Sequence, residues 1–130
     1  DAVRSLVSTA AVMPGDDEMQ AAVDRATTSG RTALHLAAAE GHDEVVEVLL
    51  AAKANWSLIT TAQGYTPLHE AAHKGHVFVV TLLLMAGADP QCTTSVGGYT
   101  PLHTAAHYGH ADVVATLLNN GADVSARAGG

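Results

Sequence analysis

Cysteine is almost missing from this chain of 130 residues: Cys92 stands alone, so no disulfide can form within the molecule. That fits a reducing compartment inside the cell. Large aromatics are also few, with one Trp, one Phe and three Tyr. A single globular core usually draws on more of them. Basic residues number 6 against 13 acids, a net charge of −7, and the acids are densest at Asp16, Asp17 and Glu18. Duplex DNA and anionic membrane surfaces both demand a basic footprint, so neither is expected as a partner. No apolar run approaches the roughly 18 residues that cross a bilayer, and no signal-peptide pattern opens the chain. The expected location is therefore intracellular, in the cytoplasm. The first residue is Asp1 rather than Met, which reads as a fragment of a longer protein.

What is abundant is small and apolar. Hydrophobic residues make up 48%, mostly Ala, Val and Leu, too many for a disordered acidic tail and well suited to short helices packed closely. Their order is periodic. Gly30-Arg31-Thr32-Ala33-Leu34-His35-Leu36-Ala37-Ala38 returns 34 residues later as Gly64-Tyr65-Thr66-Pro67-Leu68-His69-Glu70-Ala71-Ala72. After the same interval it returns as Gly98-Tyr99-Thr100-Pro101-Leu102-His103-Thr104-Ala105-Ala106. Each copy continues with Gly-His (Gly41-His42, Gly75-His76, Gly109-His110), then a valine pair, a leucine-rich turn, and Ala-Asn or Ala-Asp. A period of this length marks a stacked repeat architecture.

Within one repeat the local physics predicts two short helices. Thr66 can cap the first, and Pro67 at the first helical position gives up only an amide that would be unpaired anyway. His69 falls at the third position, where a side chain can reach back to the cap. Gly75 ends this helix, since glycine takes the left-handed conformation without steric cost. A second helix is predicted from Val77 to Met85, closed by Gly87. An isolated helix needs ~12–15 residues to persist in water, so these must be held by neighbours, and paired alanines let neighbours approach. Leu68, Val80 and Leu83, apolar in all three copies, are the expected inter-repeat core of the middle unit. The result is a quasi-one-dimensional stack.

Through Thr-Pro-Leu-His-x-Ala-Ala and Gly-Ala-Asp, residues 30–130 resemble the ankyrin-repeat family. The resemblance implies an all-α solenoid of helix-turn-helix repeats joined by β-hairpin-like loops, with repeats over 30–63, 64–97 and 98–130. That family's repeat is usually one residue shorter, and the extra residue is placed in the loops near 57–63 and 91–97. Ala33 replaces the proline in the first copy, and Lys53 replaces its terminating glycine, at a cost of up to ~1 kcal/mol if the left-handed backbone is kept. Residues 1–29 match poorly. They read either as a degenerate repeat, with a helix over Val3–Val12 and another over Asp17–Ala26, or as an N-terminal cap. The chain stops at Gly129-Gly130 without a polar capping repeat, so the array is expected to continue.

Catalytic patterns dissolve on inspection. His69-Glu70-Ala71-Ala72-His73 is a literal His-Glu-x-x-His, which on a helix puts two histidines on one face with a candidate base between them. Yet His69 belongs to the repeat, its counterparts His35 and His103 lack the motif, and no third ligand is apparent. Six of the eight histidines are periodic, and equivalent side chains in a stack run parallel, about 8–10 Å apart, rather than converging. Hydrogen-bonded histidines that tie turns together are the simpler reading. Cys92 has no sequence-local histidine partner and lies in a predicted loop. No enzyme, metal site or cofactor is expected.

The resemblance implies instead a protein-recognition module, acting through hairpin tips and the concave face of the first helices. Residues flanking the turn glycine and closing the first helix are expected to point away from the stack. They include Ala39, Arg31, Glu40, Gln63, Tyr65, His73, Lys74, Tyr99, His107 and Tyr108; all of these but Ala39, together with Glu70, are the candidates for partner contact. All three tyrosines and both off-pattern histidines fall here, and tyrosine is enriched at interface hot spots. Arg31 and Lys74 give local positive charge, which suggests a partner segment with acidic and apolar residues. His73 and His107 would sit near the ordinary histidine pKa of ~6.5 and make binding sensitive to pH. Phe78 and Met85, seven apart on the second helix, define another surface. Either residues 1–29 or local packing covers them, or they form an apolar patch for a partner or for self-association; uncapped ends offer self-association too. A different class of role also stays open, that of a regulatory or targeting domain within a larger enzyme or channel.

Overall fold

The computed structural model describes residues 23–122. The helices expected over Val3–Val12 and through most of Asp17–Ala26 lie outside these residues, as does Gly129-Gly130. Six helices follow in three pairs: α1 (Ala33–Glu40) with α2 (Asp43–Ala51), α3 (Pro67–Lys74) with α4 (Val77–Met85), and α5 (Pro101–His107) with α6 (Ala111–Asn119). The first helices form an inner layer in the order α1, α3, α5, and the second helices an outer layer in the order α2, α4, α6.

Caps set the start of each inner helix. Thr32, Thr66 and Thr100 each take an extended backbone and accept the amide of the histidine three residues on, while that histidine reaches back to the cap amide. Histidine thus does the work that glutamate or glutamine does in an ordinary capping box. Gly41 and Gly75 close α1 and α3 in the left-handed region, at φ 74° and 78°. Lys53 holds the same region at φ 65°, alone among the described non-glycine residues. The repeat therefore keeps its backbone and absorbs the strain where its glycine has been lost.

The loops between repeats fold back on themselves without forming strands among the described residues. Thr60 donates its amide to the Tyr65 carbonyl at 3.0 Å and accepts the Tyr65 amide on its hydroxyl at 3.0 Å. Thr94 and Tyr99 repeat the arrangement at 2.8 and 3.0 Å. The Gly64 amide also donates to the Thr60 carbonyl at 3.1 Å and the Thr94 hydroxyl to that of Val96 at 2.6 Å, still too few bonds for a ladder. Neighbouring hairpins join through Thr61 to the Ser29 carbonyl at 2.9 Å and Ser95 to the Gln63 carbonyl at 3.0 Å.

The core is one apolar seam running through all three repeats. Leu34, Leu68 and Leu102 supply one row, Leu49, Leu83 and Leu117 another, and Val46, Val79, Val80 and Val113 fill the gaps. Leu68, Val80 and Leu83 are buried to within 1%. Ala38 and Ala72 are fully buried, which lets the inner helices approach each other. Because Leu83 is fully buried in this seam, Leu83→Ala is expected to cost ~2–5 kcal/mol through the cavity it leaves. In a urea titration followed by circular dichroism, helicity should be lost in one transition across the stack. An unchanged midpoint would show that this register of the core is wrong.

Candidate functional site

The periodic histidines come first, because they position everything else. The Thr32 amide donates to His35 Nδ1 at 3.1 Å, so that nitrogen carries no proton, and Nε2 therefore donates to the Tyr65 carbonyl at 2.8 Å. His69 repeats this with the Thr66 amide at 3.3 Å and the Tyr99 carbonyl at 2.9 Å. Each neutral imidazole is thus fixed in one tautomer and ties one repeat to the hairpin of the next. A second set works one turn along: His76 Nε2 donates to the Ala39 carbonyl at 3.0 Å, and His110 Nε2 to that of His73 at 2.9 Å. Burial lowers the pKa of His35, and it lowers that of His69 to about 4.

Both ring nitrogens of His69 are consumed in this way, so the His-Glu-x-x-His pattern offers no free ligand at its first position. Its glutamate is also committed. Glu70 is buried, with Arg31 Nη2 2.7 Å from its carboxylate. Burial raises the Glu70 pKa against the opposing pull of Arg31 and Lys74. Arg31 and Glu70 come from adjacent repeats, so their pairing helps join the stack, contrary to the expectation that Arg31 stands clear of it. The pairing also offsets the positive charge of Arg31, leaving Lys74 as the exposed cation of this region. Ala39 requires correction as well: it is only 7% exposed, packed within the stack.

The tyrosines take two kinds of position. Tyr65 is half-buried, its ring stacked over His69 at a centroid distance of 5.7 Å and edge-on to His73 at 6.2 Å. Burial raises its pKa, with Tyr108 and Glu70 adding to the effect. Tyr99 and Tyr108 are 49% and 47% exposed. His73 lies 4.3 Å from the Tyr108 ring, and Tyr108 meets His107 edge-on at 4.7 Å. The His73 pKa is lowered by burial, then by Lys74 and His110; the expectation of an ordinary value overlooked how far this ring is enclosed.

Two adjoining grooves result. One, of about 410 Å³, brings together Arg31, Gln63, Tyr65, Glu70, His73, Lys74 and Tyr108, with Ser29, Thr60 and Ala62 along its edge. The other, of about 190 Å³, is walled by Tyr65, Tyr99, His103, Thr104, His107 and Tyr108. Tyr65 and Tyr108 belong to both. Glu40 is exposed at the end of α1 and lines neither groove. On the outer layer, Phe78 and Met85 are 56% and 78% exposed, so packing among the described residues leaves them uncovered.

Sequence reasoning missed the neighbourhood of Cys92. Its Sγ lies 3.6 Å from Thr66 Oγ1 and 3.9 Å from His69 Nδ1, so a histidine does stand beside it in space. The pair is tuned against nucleophilic chemistry: burial pushes the thiol up and the imidazole down, whereas an activated cysteine needs the opposite. No group of three or more His, Cys, Asp or Glu side chains is placed to hold a metal among the described residues. No described helix is long and apolar enough to cross a membrane.

A family model described as ankyrin repeats (3 copies) matches residues 1–94 and, overlapping, residues 58–128. The chain belongs to the ankyrin-repeat family. A comparison with curated proteins finds no match. Ankyrin repeats generally serve as protein–protein interaction modules and are typically non-catalytic.

The histidine ties carry a pH dependence. In the unfolded chain His69 takes up a proton near its usual 6.5, whereas in the fold it resists protonation down to about 4. Between those values the unfolded state binds more protons, so stability falls as pH drops through that window, by about 3 kcal/mol for this group. His35 acts in the same direction, and Glu70, whose pKa is raised, in the other. Urea unfolding at pH 7 and pH 4.5 should show the loss, and His69→Gln should flatten it. A His69→Gln protein with the wild-type pH dependence would contradict the assignment.

Proposed function

We propose that this chain is a non-catalytic interaction module that holds an extended segment of a partner protein along the face of its inner helices and hairpins. The observation that carries this reading is the pair of adjoining grooves sharing Tyr65 and Tyr108. Tyr99 and Tyr108 offer large rings half open to solvent on a backbone pinned by the histidine ties, so little order has to be created on binding. Such anchors dominate interface energetics. The partner segment contributes apolar residues to the tyrosine walls and an acidic residue to Lys74, the exposed cation beside them. The module works in the cytoplasm, where the free Cys92 thiol stays reduced.

Partners captured from lysate and identified by mass spectrometry supply the ligand for titration calorimetry. Tyr99→Ala with Tyr108→Ala should weaken binding at least ~10-fold, since hot-spot truncations cost upwards of ~1–2 kcal/mol, and should leave the melting curve in place. Lys74→Glu should weaken it further and reduce its dependence on salt. Wild-type affinity in the double tyrosine variant would move the binding site elsewhere on the molecule.

A further inference from the structure

We propose that the outer face of the middle repeat docks an amphipathic helix of a partner protein, one whose apolar stripe is flanked by lysine or arginine. The argument starts from α4. Eight of its nine residues are apolar, Thr81 being the exception. A helix that is apolar on every side is ordinarily buried on every side. Here Val79, Val80 and Leu83 are buried in the stack, whereas Phe78 and Met85 stay mostly exposed among the described residues. Both α2 and α6 lie alongside α4, so this exposure holds with a repeat on each side and owes nothing to the ends of the array.

The uncovered side chains form one stripe. Phe78, Leu82 and Met85 follow the spacing i, i+4, i+7, which spans two turns, roughly 10 Å, on one side of the helix. Leu82 lies half-buried between the two exposed ends. A second helix meets such a stripe with apolar side chains at the same spacing.

The charge beside the stripe selects the occupant. One period before and after Phe78 stand Glu44 and Asp112, both exposed, and Glu47 is exposed one turn further along α2. None of these carboxylates pairs with a base among the described residues. The three outer helices contain no Lys or Arg. Helix starts favour acids, which accounts for Glu44 and Asp112 in the first turns but not for Glu47. An occupant that brings lysine or arginine to these carboxylates matches the face in charge as well as in apolar spacing. Two other occupants fit worse. The outer face of a second copy would set carboxylates against carboxylates. Residues 1–22 hold Asp1, Asp16, Asp17 and Glu18 against Arg4 alone, and the family match counts them as repeat sequence. The outer face thus asks for the opposite charge from the inner grooves, so the two faces select different partners.

Fluorescence anisotropy of a labelled synthetic helix, titrated with the 130-residue chain, tests this. The probe carries leucine at i, i+3, i+4 and i+7 and lysine elsewhere. One control replaces every lysine with glutamate, and another keeps the composition but scatters the leucines round the helix. The chain should bind the probe at least ~10-fold tighter than either control. Phe78→Ser with Met85→Ser should weaken binding at least ~10-fold. Glu44→Lys with Glu47→Lys should do the same and flatten its salt dependence. All four side chains are exposed, and melting curves check that each variant folds. Equal affinity for either control overturns the proposal, as does wild-type affinity in either folded variant. So does a chain that fails to bind the probe, as when residues 1–22 cover the stripe. Sedimentation equilibrium supplies the last arm: wild-type protein that self-associates, while the Phe78→Ser, Met85→Ser variant stays monomeric, gives the face to a second copy instead. These readouts do not involve the inner grooves and stand apart from whatever those grooves bind.

Discussion

The stack depends on a neutral imidazole that spans from one repeat to the next. A histidine bonded at Nδ1 to its own helix cap and at Nε2 to a carbonyl 30 residues away couples the start of a helix to the position of the following hairpin. Helices of seven to nine residues have no stability of their own. The caps of the inner helices are satisfied only when the histidine is in place, and the histidine finds its acceptor only when the next repeat has folded. Local order and inter-repeat order therefore form together. Burial, which lowers the pKa of His69 to about 4, keeps Nδ1 free to accept the cap amide.

This arrangement also explains how one residue can serve the fold through its backbone while its side chain lines the proposed binding grooves. Tyr65 and Tyr99 give their carbonyls to the histidines of the preceding repeat, which fixes the backbone and leaves the phenol rings to face the grooves. Ala39 and His73 give their carbonyls to the second histidine set. There the side chain differs, a buried methyl in one repeat and a ring packed on Tyr108 in the next. Backbone groups carry the repetition and side chains carry the variation, so chemistry can change along the grooves without loosening the stack.

How much of this the amino-acid order reveals follows from the range of each interaction. Contacts confined to one repeat are legible: the Thr66 cap, Pro67, His69 at the third position, Gly75 and the span Val77–Met85 all read directly from local stereochemistry. The burial of Leu68, Val80 and Leu83 reads from their recurrence. Contacts between repeats are harder, because they pair positions that are not equivalent. Arg31 meets a residue 39 places on, and Cys92 lies beside a histidine 23 places back. Neither offset is a multiple of the period, so inspecting one aligned column cannot find it. Ala39 was misplaced for the same reason: its own helix would expose it, and the adjacent repeat covers it.

Departures from periodicity are consequently where the chemistry of the inner face changes. Where the first repeat has Leu36, the second has Glu70 and the third Thr104, so the floor of the inner face changes from apolar to ionic to hydroxyl along the stack. Glu70 could be buried only because Arg31 stands where the other repeats carry tyrosine. Replacing Arg31 with the repeat's usual tyrosine would leave a carboxylate buried without its cation, a change far costlier than the loss of a surface ion pair. Leu36 has no such constraint within the described residues and stays apolar and open. Among the described residues the stack is thus directional in chemistry as well as in geometry.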